Sequence, residues 1–346
     1  MSDTHPSAPR PRRKPVLIDA ADLVTMESLV PDGSLPLVIR PSKRVDLVTW
    51  TEANRELLER RLHTHGAILF RDFGVREVAE FERFALALTP DLLNYVEGSS
   101  PRTMLAEKVY TSTEYPPEYP ISLHNELSYA HKWPAKLFFF CQTAPRSGGE
   151  TPIADCRRVL RMLPQDLVSR FTRSGVRYLR NLRDADGPGL AWSTVFETRD
   201  KDFVERYCAE GGIDFQWHAD GSLQTSQVRP AVIRHPVTGE PVWFNQADQW
   251  HPSNLGEELS AALNSVADAA ELPINAAFGD GSPIDVRDLG LVRRTIRTAM
   301  VRFAWKEGDI LLIDNMLVAH GRMPFTGPRR VLVTMGETVY LDDVTA

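Results

Sequence analysis

The 346-residue chain is poor in cysteine, with three in all, and Cys141, Cys156 and Cys208 are too widely spaced to form a CxxC pair. Neither a disulfide framework nor a cysteine-based zinc knuckle is therefore signalled. No apolar stretch approaches the roughly 18 residues that a membrane span requires. The arginines near the N-terminus are followed by no apolar run of the kind found in a secretory signal, so a cytoplasmic location is expected. Positive charge is not in excess either. The net charge is −6, which removes any general pull toward nucleic acid. The single basic cluster, Arg10 to Lys14, sits in a stretch rich in Pro, Ser and Arg. Residues 1–15 accordingly read as a disordered tail. No internal repeat and no long linker interrupts the remainder, so 16–346 is expected to be one domain.

What is present is an ordinary globular composition, 42% hydrophobic and 25% charged, enough for a core of enzyme size. Helical spacing marks Thr51 to His65, with Thr51 as cap and Gly66 as terminator, and Val78 to Leu88, stopped by Pro90. Ala67 to Phe73 reads as a strand. Leu137 to Cys141 is a nearly continuous apolar run, as expected of a strand buried on both faces, and Gly148-Gly149 marks a turn after it. Ala231 to Arg234 and Pro241 to Asn245 flank a hairpin turn. Leu259, Ala262, Leu263 and Val266 share a helical face closed by Pro273. Strands are expected at Val301 to Trp305, Asp309 to Asp314 and Arg330 to Val339. Helices first and then many strands, with helical insertions between about 157 and 300, predict a mainly β fold with flanking helices: a β-sandwich or jelly-roll core.

One pattern points to chemistry. Two histidines and a carboxylate on one face of iron(II) leave positions open for substrate and dioxygen. A strand can deliver two of these ligands from positions i and i+2. With 9 His and 46 acidic residues in 346, about one such triplet is expected by chance, and two occur: His124-Asn125-Glu126 and His218-Ala219-Asp220. The second lies among glycines and reads as loop, whereas the first sits in Ile121 to Tyr129, which reads as a strand. A distant histidine, His320, ends the Asp314-Asn315-Met316-Leu317-Val318-Ala319-His320-Gly321-Arg322 segment. Ten residues later, Arg329-Arg330 opens the last strand, where Arg330, Leu332 and Thr334 share one face and Arg329, Val331 and Val333 the other. An arginine fork suits the far carboxylate of a dicarboxylate co-substrate. His131, His218, His235 and His251 have no comparable support and read as structural. Asn245 has two open roles, orienting the site or capping a turn. Arg102 and Arg322 are likewise open between structure and anion binding.

The segments His124-Asn-Glu-Leu-Ser-Tyr129, Gly148-Gly-Glu-Thr-Pro-Ile-Ala-Asp155, Val242-Trp-Phe-Asn-Gln246 and Asp314 through Arg322, together with Cys141 and Arg329-Arg330, resemble the taurine dioxygenase and clavaminate synthase superfamily of iron(II)/2-oxoglutarate oxygenases. Within it the chain is most similar to amino-acid hydroxylases of antibiotic pathways, typified by the syringomycin aspartyl hydroxylase. The resemblance covers roughly residues 60–340. It implies a double-stranded β-helix, a 2-oxoglutarate-dependent non-haem iron dioxygenase, the metal ligands His124, Glu126 and His320, and Thr151 as a 2-oxoglutarate contact. It also implies an arginine clamp, for which Arg330 is the favoured candidate and Arg329 the second, since Thr334 stands where the family often has another arginine. Iron(II), 2-oxoglutarate and dioxygen follow as cofactor and co-substrates. The implied reaction is hydroxylation of an unactivated C–H bond of an amino-acid-like substrate, free or tethered to a peptidyl carrier protein, with desaturation or epoxidation as alternatives. A carboxylate at 126 separates the chain from halogenating relatives, which leave that ligand position open. A non-catalytic jelly-roll binding protein and a cupin-like hydrolase or isomerase are the competing classes. Neither nucleic acid nor membrane is an expected partner, and homo-oligomerisation is left open.

Overall fold

The computed structural model describes residues 23–344, apart from 31–32, 34, 99–101, 107, 114, 185–188, 257–258, 261–264, 266–267 and 269. The expected tail over 1–15 and most of the expected helix at 259–266 lie outside the described residues. A mixed eight-stranded sheet runs in the order Val24–Ser28, Leu37–Pro41, Ala67–Phe70, Ile310–Asp314, Lys132–Thr143, Arg330–Tyr340, Val109–Thr111, Met104–Ala106. A three-stranded sheet of Ile121–His124, Val318–Arg322 and Ile153–Asp155 makes the second wall of a double-stranded β-helix.

The large sheet is buried on both faces, which accounts for its unbroken apolar runs. Leu137, Phe139, Cys141, Leu311, Ile313, Val331 and Val333 turn inward to the core shared with the small sheet. Their alternate neighbours Phe138, Phe140, Ile310, Leu312 and Leu332 turn outward and pack on the helices through Leu58, Leu62, Phe81 and Phe84. The expected helix at 51–65 is two helices, Leu47–Ala53 and Arg55–His65, and the first is capped by Asp46 rather than Thr51. Gly66 does end the second, at φ 75°, and a Cβ there would lie 2.5 Å from Val318 Cγ2. The glycine thus terminates the helix and lets it approach the strand that carries His320.

Between 157 and 300 the insertion is not only helical. Besides Cys156–Met162, Gln165–Ser174, Lys201–Glu210 and Val286–Ala299, it builds its own antiparallel sheet, ordered Asp214–Trp217, Leu223–Arg229, Val176–Leu182, Ile274–Phe278. Val176–Leu182 alternates strictly between buried and half-buried positions. Its polar members, Arg177, Arg180 and Asn181, mask that period in the sequence. Val301 to Trp305 is largely irregular: Val301 alone bridges Ile153. Among the described residues, no helix is long and apolar enough to cross a membrane.

Candidate metal centre and its anion cavity

His124 ends its strand and pairs directly with His320 on the neighbouring one, bringing the two ring centroids to 4.6 Å. The strand stops there. Glu126 sits in the turn that follows, and Leu127 takes φ 56°, so the carboxylate reaches the histidines by a turn and not by the i, i+2 parity of an extended strand to Tyr129. One candidate ligand atom from each of His124, Glu126 and His320 lies within 4.8 Å of the other two.

That turn is pinned from below by amides. Asn315 accepts from the Glu126 N–H at 2.7 Å and donates to the carbonyls of Glu126 and Pro134 at 2.9 Å each. Asn125 donates to the Asn315 carbonyl at 2.5 Å, and Gln246 donates to the Asn125 carbonyl at 2.6 Å. Asn245 caps the turn instead, accepting from the Ala247 N–H at 3.1 Å. Asn315 lies in the Asp314–Arg322 segment, where its residue type alone does not reveal this task. Buried amide groups that lose their partners cost about 1–3 kcal/mol. Asn315→Ala is therefore expected to lower the denaturation midpoint and to weaken metal binding on the order of tenfold. Unchanged iron affinity in the folded variant would show that the clamp does not position Glu126.

The donor set suits a divalent metal. The Nδ1 of His124 lies 2.8 Å from the Ser122 carbonyl, which places a proton on Nδ1 and leaves the Nε2 lone pair free. Burial lowers the pKa of His124, and burial together with the neighbouring His124 lowers that of His320 further, so both rings are neutral. Burial alone would raise the Glu126 carboxyl, but the charged Arg102 guanidinium bonded to it, the largest opposing influence, outweighs burial and holds the group at about 2. The Glu126 carboxylate accepts from Arg102 Nη2 at 2.5 Å and from the Tyr95 hydroxyl at 3.1 Å.

A second cluster, His63, His235 and Asp314, also brings ligand atoms together, but its hydrogen bonds leave no site. His235 Nδ1 faces the N–H groups of Val237 and Thr238 at 3.2 and 3.1 Å. Its proton is therefore on Nε2, which donates to Asp314 at 2.9 Å. With both nitrogens committed, His235 is structural, as its sequence context suggested. His218 lies in an exposed hairpin turn whose Asp220 is bonded to Ser222, and His218 and Asp220 belong to no cluster of metal-ligating groups among the described residues; the competing triplet is a surface turn.

A narrow cavity lined by His124 and His320 lies between the two sheets, with Phe139, Thr151, Val333 and Arg329 also on its walls. Thr151 is buried and accepts from the Trp305 indole N–H at 3.2 Å, leaving its own hydroxyl proton to donate to an anion. Arg329 donates from Nε to the Gly149 carbonyl at 2.9 Å and from Nη1 to the Ser112 hydroxyl at 3.2 Å. Burial, with Arg322 nearby, pushes its pKa down to about 10, so it stays charged at neutral pH. Gly148 must be glycine here: φ is 68°, and a Cβ would come within 2.1 Å of the Pro324 carbonyl oxygen.

Arg330, the favoured clamp on sequence grounds, is placed elsewhere. It is exposed and does not line the cavity. Alternation along Arg330–Tyr340 explains the correction. Val333 lines the cavity, so the face it shares with Val331 and Arg329 looks inward, while Leu332 belongs to the outer core against the helices. Thr334, on the Arg330 face, donates to the Lys108 carbonyl at 2.8 Å. Arg322 spends both Nη groups on the carbonyls of Tyr115, Pro116 and Tyr119, a structural use.

This arrangement is the one expected of a non-haem oxygenase, and the comparisons show the family. The model of the TauD, TfdA family (taurine catabolism dioxygenase TauD) matches residues 31–335. The chain is 39% identical over 279 residues to the dapdiamide synthesis protein DdaC of Enterobacter agglomerans, covering 81% of this chain and 84% of the relative. It is 33% identical over 315 residues to a clavaminate synthase-like protein of Arabidopsis thaliana, covering 88% and 91%. In three dimensions it resembles PvcB, known from Pseudomonas aeruginosa and described as an Fe, alpha-ketoglutarate dependent oxygenase from an isonitrile synthetic pathway. There the TM-score is 0.55 at 14% identity, over 97% of this chain and 100% of the other. The chain belongs to the TauD/TfdA dioxygenase family. It is a 2-oxoglutarate-dependent dioxygenase that uses iron(II), 2-oxoglutarate and dioxygen.

Proposed function

We propose that this enzyme hydroxylates an unactivated C–H bond of an amino-acid-like substrate in a secondary-metabolite pathway, with iron(II) held by His124, Glu126 and His320. The observation that carries the reading is one arrangement: His124, Glu126 and His320 bring their ligand atoms together, and the two imidazoles line a cavity that also holds Thr151 and the half-buried, charged Arg329. Similarity to a protein of dapdiamide synthesis supports the pathway class. Arg329 takes the distal carboxylate of 2-oxoglutarate in a charge-assisted pair, and the Thr151 hydroxyl donates to the same group. When bound, iron(II) and 2-oxoglutarate supply with dioxygen the oxidising power for hydroxylation, releasing succinate and carbon dioxide.

Substrate enters by a second opening. A cleft of about 720 Å³ meets the metal centre at His124 and Ile121, walled by Tyr95, Tyr115, Tyr119 and Trp250. Its aromatic walls shield the reacting carbon from water, and the Glu126 carboxylate occupies the position that a halide would need.

Adding iron(II) and then 2-oxoglutarate under anaerobic conditions is expected to produce the visible metal-to-ligand charge-transfer band. Its absence in metal-loaded protein would overturn the reading. A succinate-release screen comparing free and carrier-bound amino acids then identifies the substrate. Release equal to the substrate-free rate with both sets would exclude the amino-acid class.

A further inference from the structure

Arg102 is the most unusual group at this centre. Its side chain is 4% exposed, yet only Nη2 has a partner, Glu126; Nε and Nη1 have none among the described residues. Burying charged donors unpaired is costly. The guanidinium is held over the Tyr95 ring at 4.0 Å. It lines the cavity that holds His124 and His320, and Tyr95 itself lines the substrate cleft. The two openings share Thr113, Ile121 and His124, and Arg102 lines the first of them together with these residues.

The charges at the centre do not balance without a further anion. Iron(II) and doubly ionised 2-oxoglutarate cancel. Glu126 offsets one of the three arginines that line the cavity, Arg102, Arg322 and Arg329, and two positive charges remain. Arg322 and Arg329 have carbonyl or hydroxyl acceptors for at least two of their nitrogens. Arg102 keeps two unpartnered nitrogens: Nε, on the same edge as the Nη2 that Glu126 occupies, and Nη1, on the other side of the guanidinium, where it can donate to a further anion.

We infer that Arg102 is the substrate-anchoring residue and that its unpartnered Nη1 donates to a carboxylate of the substrate. This rests on the oxygenase reading above and narrows it. The substrate is a free acid, and a carrier thioester, which masks the carboxylate of an aminoacyl group, is disfavoured. The same ion pair sets the distance from the substrate carboxylate to the oxidised carbon, because Arg102 is simultaneously bonded to the metal ligand Glu126.

The test uses the iron-loaded enzyme with 2-oxoglutarate and a panel of free amino acids, N-acyl amino acids and short peptides, each paired with its carboxamide or carrier-bound form. Succinate release is expected above the substrate-free rate only with free carboxylates. With a responding acid, Arg102→Met is expected to raise KM on the order of 100-fold, with a smaller change in kcat. Arg102→Lys should recover part of that loss. Anaerobically, Arg102→Met is expected to need on the order of tenfold more iron(II), because Glu126 loses a partner, while at saturating iron(II) the 2-oxoglutarate midpoint stays within a few-fold, far below the change in substrate KM. A 2-oxoglutarate midpoint that rises as much as the substrate KM in both variants at saturating iron(II) places Arg102 in the service of the co-substrate and overturns the inference while sparing the oxygenase reading. A panel in which amides or thioesters respond as well as acids, or in which no carboxylate responds, overturns it too. Absence of the band in wild type would instead remove the oxygenase reading itself.

Discussion

His320→Ala is expected to abolish the charge-transfer band at any attainable iron concentration and, with it, 2-oxoglutarate turnover. A facial site has three protein ligands and no spare. His320 faces His124 across the small sheet, and no other described His, Cys, Asp or Glu joins this group. Its Nδ1 has no hydrogen-bond partner, so truncation breaks no protein contact of that kind. The cost to folding is the cavity left beside Phe139, whose ring lies 5.1 Å away, and a hole of that size costs a few kcal/mol at most. The variant should therefore stay folded by circular dichroism while losing stoichiometric iron. His218→Ala is the matched control, and its exposed turn predicts wild-type iron content. Iron retained by His320→Ala, or lost equally by His218→Ala, would refute the assignment of the triad.

The second large effect separates two adjacent arginines. Arg329→Ala is expected to weaken 2-oxoglutarate roughly 100-fold or more, since removing one partner of a buried charge pair costs about 2–5 kcal/mol. Arg330→Ala should change it by less than about twofold, because an exposed arginine contributes on the order of 0–1 kcal/mol to any pairing. Titration of the anaerobic band with 2-oxoglutarate reads both. The reverse order, with Arg330→Ala the damaging change, would return the clamp to the outer face and contradict the inward direction of Val333. Arg329→Lys is expected to be intermediate, since an ammonium keeps the charge and loses the fork.

These paired residues show where sequence pattern stops. Leu137 to Cys141 is legible as a doubly buried strand because both of its faces are apolar, and Gly66 as a helix terminator because its backbone needs a positive φ. The order of His124, Thr151, His320 and the arginine pair is legible as well, since residue type and sequence spacing are linear properties. The insertion's sheet was not, because its arginines and asparagine spoil the alternation that would reveal it. The i, i+2 rule pointed to a triplet that folding does bring together with His320, but for a partly wrong reason: the strand ends at His124, and amide bonds from Asn315 and Gln246 hold the turn that presents Glu126. Such bonds join residues 189 and 121 positions apart and leave no local period.

By itself the sequence determined the family of chemistry: which side chains exist to bind a metal and an anion, and roughly which segments become strands. Only the tertiary structure decided the direction in which each side chain acts. A strand has two faces, and alternation assigns Arg329 and Arg330 to opposite ones without naming the inner face. That choice is made by packing, when Val331 and Val333 meet the small sheet and Leu332 meets the helices. The role of Arg102 belongs to the same category. In sequence it stays open between structure and anion binding, and it becomes significant when folding removes it from water beside Glu126 with Nε and Nη1 unpartnered.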